Sequence, residues 1–182
     1  NLLYNNLMNV FTDILVFEQQ HYTEYAIYLF TATWCPPCVA TKRLLLGVEY
    51  NNPNNIWNTF IRDILKYITK FVDQSAEVKK YLLSNPQVTK EQLIQFLFNK
   101  FKIKLIVIDV DQQQYNNLIT KYDVRSIPLF VCVYEPTKPT ESLVLKKPGG
   151  ITNQTEFNDK VLPMLHSALW HFIQNTKLSI TS

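Results

Sequence analysis

The chain has 182 residues, 47% apolar and 18% charged, with a formal net charge of +3. This is enough apolar material for one ordinary folded domain, and the charge is too small and too dispersed to be a nucleic-acid footprint. No stretch reaches the roughly 18 consecutive apolar residues of a membrane-spanning helix, so a soluble chain with neither nucleic acid nor membrane as partner is expected. Because the first residue is Asn1 rather than Met, an upstream segment is expected to have been removed. An organelle lumen after loss of a leader, and the cytoplasm as the alternative, both fit a chain with three cysteines.

In chain order, Leu3, Leu7, Val10, Phe11, Ile14 and Leu15 recur at helical spacing and predict an amphipathic packing helix over 2–17. A targeting helix is the rival reading, disfavoured because the segment holds no Lys or Arg. Residues 25–30 read as a buried strand, followed by Trp34-Cys35-Pro36-Pro37-Cys38 and a helical stretch over 39–46. Beyond the asparagine-rich loop at 51–55, the apolar residues Trp57, Phe60, Ile61, Ile64, Leu65, Ile68, Phe71 and Val72 form one helical stripe. Residues 75–83 predict a shorter helix ended by Asn85-Pro86. Thr89 and Gln92 form a capping box ahead of a third helix containing Leu93, Phe96 and Leu97.

Residues 103–110 are rich in Ile and Val and predict a second central strand buried on both faces. A polar turn and short helix fill 111–124, and Ile127-Pro128 opens an apolar strand over 129–134. The two prolines of 135–140 predict a hairpin turn into a strand over 142–147. After Pro148-Gly149-Gly150, residues 155–174 form a last helix with Phe157, Val161, Leu165, Leu169 and Phe172 on one side.

The chemistry points to Cys35 and Cys38. Two cysteines separated by two residues at a helix start are near enough to form a disulfide across one turn, and the converging peptide N–H groups stabilise a thiolate there. Cys35 precedes the helix and Cys38 lies a turn inside it, so Cys35 is the expected reactive thiol. Pro36 and Pro37 suit the first turn, where N–H groups have no intrahelical acceptor. Zinc is disfavoured because there is no second CxxC, and Cys132, His21, His166 and His171 match no usual ligand spacing. An inert buried pair is the other alternative. Cys132, flanked by Val131 and Val133, reads as a buried hydrophobe, with a third redox thiol as its rival.

The segments FTATWCPPC over 30–38, IDVDQ over 108–112, KYDVRSIP over 121–128 and PGG over 148–150, in this order of elements, resemble the thioredoxin family. The resemblance implies an α/β thioredoxin fold, a central mixed β-sheet flanked by helices. On this reading residues 1–182 form a single domain with an inserted helical subdomain at about 47–100. It implies that Cys35 is an exposed attacking thiolate and Cys38 the resolving thiol. Trp34 would be a flat surface beside them, and Pro128 a cis-proline facing the dithiol. The Ile127 backbone would pair with the substrate chain, and Gly149 would line the same groove. The implied activity is thiol-disulfide oxidoreduction on protein substrates, with a reductase or other thiol donor as second partner. A monomer is expected, and the exchange calls for neither metal nor organic cofactor. A scaffold or adaptor with little turnover is the alternative. The chain departs from the family in its Pro-Pro pair, its long insertion, and Leu29 and Val107 where thioredoxins carry a buried Asp and a Lys.

Overall fold

The computed structural model describes residues 25–47, 53–134 and 142–181, with side chains up to 176. The expected helix over 2–17 and hairpin turn over 135–140 lie outside the described residues.

Strand β1 (Tyr25–Thr31) is buried along its whole length and is the centre of a four-stranded mixed sheet. It pairs in parallel with β2 (Ile103–Asp109) and antiparallel with β3 (Leu129–Tyr134), which pairs antiparallel with β4 (Val144–Pro148). Side chains alternate across a strand. Ala26, Tyr28 and Phe30 therefore share one face with Val131, Val133 and Ile108. Tyr122, Leu118 and Ile119 cover this face from helix α5 (Asn116–Lys121) and its end. Ile27, Leu29 and Cys132 belong to the other face, where Leu29 stands beside both Val107 and Phe130.

Strand β2 differs from expectation. Among the described residues it is an edge strand rather than a second central one, and Lys104 to Val107 are only half-buried. Its Ile and Val content signals β propensity, which an edge strand satisfies as well as a central one. The last strand begins at Val144 and ends at Pro148, where a residue without an N–H terminates the ladder.

The helices follow their local signals. Cys35 caps α1 (Pro36–Leu46) with two prolines in its first turn, and Gly47, at φ 83, follows its end. Asn55 accepts from the Asn58 N–H at 2.7 Å and so caps α2 (Ile56–Gln74). Six of the eight residues of the α2 stripe are buried, Leu65 and Phe71 being half-buried. Ser75 caps α3 (Ala76–Ser84), and Thr89 with Gln92 closes a capping box on α4 (Lys90–Lys100). In α4 the buried residues are Leu93, Leu97 and Phe98. Phe96, in the same helix, is 38% exposed beneath the Lys100 ammonium.

The last helix is not uniform. A short turn, α6 (Gln154–Glu156), leads into a π-helical turn over Phe157–Val161 and then into α7 (Leu162–Thr181). Pro163 cannot donate to the carbonyl four residues back, and wide turns of this kind accommodate such a missing bond. Phe157, Val161, Leu165, Leu169 and Phe172 are all buried, as their spacing predicts.

The described residues divide into two compact units. One, the sheet unit, holds 25–47, 53–61, 103–134 and 142–168; the other, the helical unit, holds 62–102 and 169–181. Within the helical unit, Phe71 meets Trp170 edge-on at 5.7 Å, and Phe101 packs on Phe172 at 5.2 Å. Trp170 and Phe172 of α7 thus pack with Phe71 of α2 and with Phe101, which follows α4.

Candidate functional site

The first turn of α1 carries the chemistry. Cys35 and Cys38 are joined as a disulfide with their Cα atoms 5.2 Å apart, inside the range that needs no backbone distortion. Cys35 adopts extended backbone geometry as N-cap, and its Sγ accepts from the Cys38 N–H at 3.3 Å. Prolines at the next two positions donate nothing, so the Cys38 N–H is the first amide of the helix to face that sulfur. Once the pair is reduced, the same donor and the helix N-terminus favour the Cys35 thiolate.

The expectation of an exposed Cys35 is corrected. Cys35 is only 5% exposed, and Cys38 is fully buried. Both cysteines belong to a small buried cluster with Ala32, against which Val110 and Ile127 pack. The order of accessibility, Cys35 before Cys38, is as expected.

Trp34 is 65% exposed. Its indole N–H donates to Asp111 Oδ2 at 2.7 Å, while the Asp111 N–H donates to Asp109 Oδ1 at 3.0 Å. Asp111 was not singled out from the sequence as a site residue. Its signal was its place directly after β2, where a parallel neighbour of β1 must end beside the turn carrying Trp34. The Ile127-Pro128 peptide bond is cis, Ile127 lies against the dithiol cluster, and Pro128 is buried. Gly149 has φ 86 and donates its N–H to the Pro128 carbonyl at 2.9 Å. The structure therefore brings Ile127 to the two cysteines and Gly149 to Pro128, and sets Trp34 on the surface beside Cys35 in the chain.

Two further residues join this neighbourhood. A Cβ on Gly150 would run into Thr41 Oγ1 and come within 3.0 Å of Pro128 Cγ. Buried Thr41 itself exchanges hydrogen bonds with the backbone of Ile151. Thr41 has no local sequence signature, and although Gly150 lies in the PGG segment, its close approach to Thr41 can be read only from the fold.

Cys132 stays apart. It is buried within β3, and burial pushes its thiol up to about 12, so it is protonated and inert at neutral pH. Among the described residues there is no group of three or more His, Cys, Asp or Glu that could hold a metal ion, and no helix long and apolar enough to cross a membrane. The chain matches no protein-family profile, no curated protein and no solved structure.

Proposed function

We propose that the protein is a thioredoxin-like thiol-disulfide oxidoreductase acting on disulfides of protein substrates. The observation that carries this reading is the Cys35–Cys38 pair at the capped start of α1, with the Cys38 N–H directed at Cys35 Sγ. A structural staple gains little from this placement, since a bridge closing so short a loop removes little chain entropy. A reversible pair gains a stabilised thiolate and a resolving thiol one turn away.

In the reducing direction, the Cys35 thiolate attacks one sulfur of a substrate disulfide. A mixed disulfide forms and the other substrate sulfur leaves as a thiolate. Cys38 loses its proton and attacks Cys35 Sγ, forming the Cys35–Cys38 bond and releasing the second substrate thiolate. Two electrons pass to the substrate, and a reductase or other thiol donor restores the dithiol. Ile127 and Pro128 would offer a backbone edge to the substrate chain, with Gly149 opening space beside it and exposed Trp34 as an apolar platform.

Proton handling is a distinct feature of the reading. Leu29 and Val107 are direct partners on neighbouring strands, so the two positions that carry a buried acid and base in thioredoxins are occupied together by apolar side chains. Replacing both charges at once avoids stranding either one.

The test is insulin reduction driven by dithiothreitol, comparing the wild-type chain with Cys35→Ser/Cys38→Ser. Wild-type turnover should clearly exceed that of the variant, which lacks both sulfurs that the exchange requires. Equal rates would reject the oxidoreductase and leave the scaffold reading.

A further inference from the structure

We infer that Thr41 is a positioning residue for protein substrates: its buried hydroxyl fixes the turn at 149–151 against the first turns of α1, and so sets the surface beside the dithiol on which a substrate chain lies. This rests on the exchange reading above and adds to it a residue that touches neither sulfur nor substrate.

Thr41 lies one turn beyond Cys38 and is completely buried. A threonine inside a helix commonly turns its hydroxyl back to the carbonyl four residues earlier. Here the hydroxyl reaches across the fold instead. It accepts from the Ile151 N–H at 3.1 Å and donates to the Ile151 carbonyl at 3.4 Å. Ile151 is itself 1% exposed, so its N–H would be costly to leave without an acceptor. One hydroxyl serves both polar groups of a single buried peptide residue, as only a group that donates and accepts can.

Gly150 shows how closely the turn is seated. A Cβ there would clash with Thr41 Oγ1, approach Pro128 Cγ to 3.0 Å and meet the Pro37 carbonyl at 3.4 Å. Glycine is therefore required by close approach. On the other side of the turn, the Gly149 N–H holds the Pro128 carbonyl at 2.9 Å. Three segments meet at this point: the start of α1 through Pro37 and Thr41, the cis-proline segment through Pro128, and the turn itself. Ile127, next to Pro128, packs on the dithiol cluster. If the hydroxyl is lost, the turn is no longer held to α1, and the distance from Cys35 to the Ile127, Pro128 and Gly149 surface is free to drift. A protein substrate needs that surface and that distance together. A small aryl disulfide needs only the Cys35 sulfur.

The test measures KM and kcat for insulin, and the rate with dithionitrobenzoate, using the full chain. Thr41→Val, which keeps the side-chain volume, should raise KM for insulin about tenfold while kcat and the aryl-disulfide rate stay within about twofold. Thr41→Ser should return KM to within about twofold of wild type, because it keeps the hydroxyl. Gly150→Ala leaves the hydroxyl in place but crowds it, and should raise KM in the same selective way. It provides the measurement if Thr41→Val does not fold. An unchanged KM in the variants, an equal loss on both substrates, or failure of the serine to restore KM would overturn the role of Thr41 alone. If the wild-type chain reduces neither substrate faster than Cys35→Ser/Cys38→Ser, the exchange reading itself falls, and this inference with it.

Discussion

In the helical unit, Ile64, Ile68 and Val72 come to one side of α2 because they are four residues apart on a 3.6-residue spiral, and they are buried there. In the sheet unit, Cys35, Ile127 and Gly150 gather around the start of α1 from opposite ends of the unit's sequence. The helical unit holds aromatic pairs, caps and an exposed Lys90–Asp73 ion pair at 2.8 Å, and none of the cysteines falls within it. Its interactions suit packing, and all are of kinds that helices form in any protein. The sheet unit contains the features with no packing rationale: a disulfide across one helical turn, an exposed tryptophan tied to Asp111, and a glycine forced by a neighbouring hydroxyl. The candidate dithiol is surrounded by segments distant in sequence, whereas the helical unit combines local apolar stripes with long-range aromatic contacts such as Phe71 on Trp170.

The largest test of this comparison is Phe172→Ala. Phe172 is 4% exposed and packs on Phe101 within the helical unit, so its truncation should cost about 3–5 kcal/mol in urea unfolding. Insulin turnover by the folded variant should stay within about twofold of wild type, because no reacting group is altered. A turnover loss at temperatures where the variant is folded would break the division of labour.

Cys132 sharpens the comparison inside the sheet unit, since it is the same residue type as the dithiol in a different environment. Burial raises its folded-state value from 9.0 to about 12, so the folded chain keeps a proton that the unfolded chain loses first. The stabilisation is fully present below the unfolded value and is lost as pH rises toward the folded one, by about 1.4 kcal/mol per pH unit. Relative to Cys132→Ala, wild-type stability should therefore be constant up to about pH 8.5 and fall between about pH 9 and 11. A flat difference across that range would show that the thiol is not held in apolar surroundings. Insulin reduction by Cys132→Ala should stay within about twofold of wild type.

The smallest expected effect is that of Asp109→Asn on resolution of the mixed disulfide. Leu29 and Val107, paired within the sheet, offer no carboxylate base to take the Cys38 proton, and the Asp109 carboxylate accepts the Asp111 N–H. Stopped-flow resolution rates from about pH 5 to 9 should follow thiol ionisation alone, in wild type and variant alike. An extra ionisation that disappears in Asp109→Asn would assign that carboxylate a catalytic part and redraw the site.

The close cysteine pair at a helix start, the stripe of α2, the capping box of α4 and the burial of Cys132 were all legible in the sequence, because each depends on residues a few positions apart. The order of elements and the family resemblance also implied an α/β chain with a mixed sheet, and the apolar run at 25–30 marked β1 as a buried strand. Other features lay beyond that reach. The same Ile and Val content suits an edge or a central strand, so it could not show that β2 has a neighbour on one side only among the described residues. Phe96 has helical spacing, but which side of α4 faces the core depends on what packs there. The burial of Cys35, the Trp34–Asp111 bond and the packing of Trp170 and Phe172 within the unit of 62–102 each require knowing which distant segment arrives. Thr41 and Gly150 are the clearest case: alone, one is a helix threonine and the other an ordinary turn glycine. The chain by itself determined its helices, its strands and the cysteine pair at the start of α1, since local sterics and hydrogen bonding act over a few residues. Only the tertiary structure decided what surrounds that pair, because a buried hydroxyl finds its partner, and a glycine its constraint, only after long-range closure of the sheet.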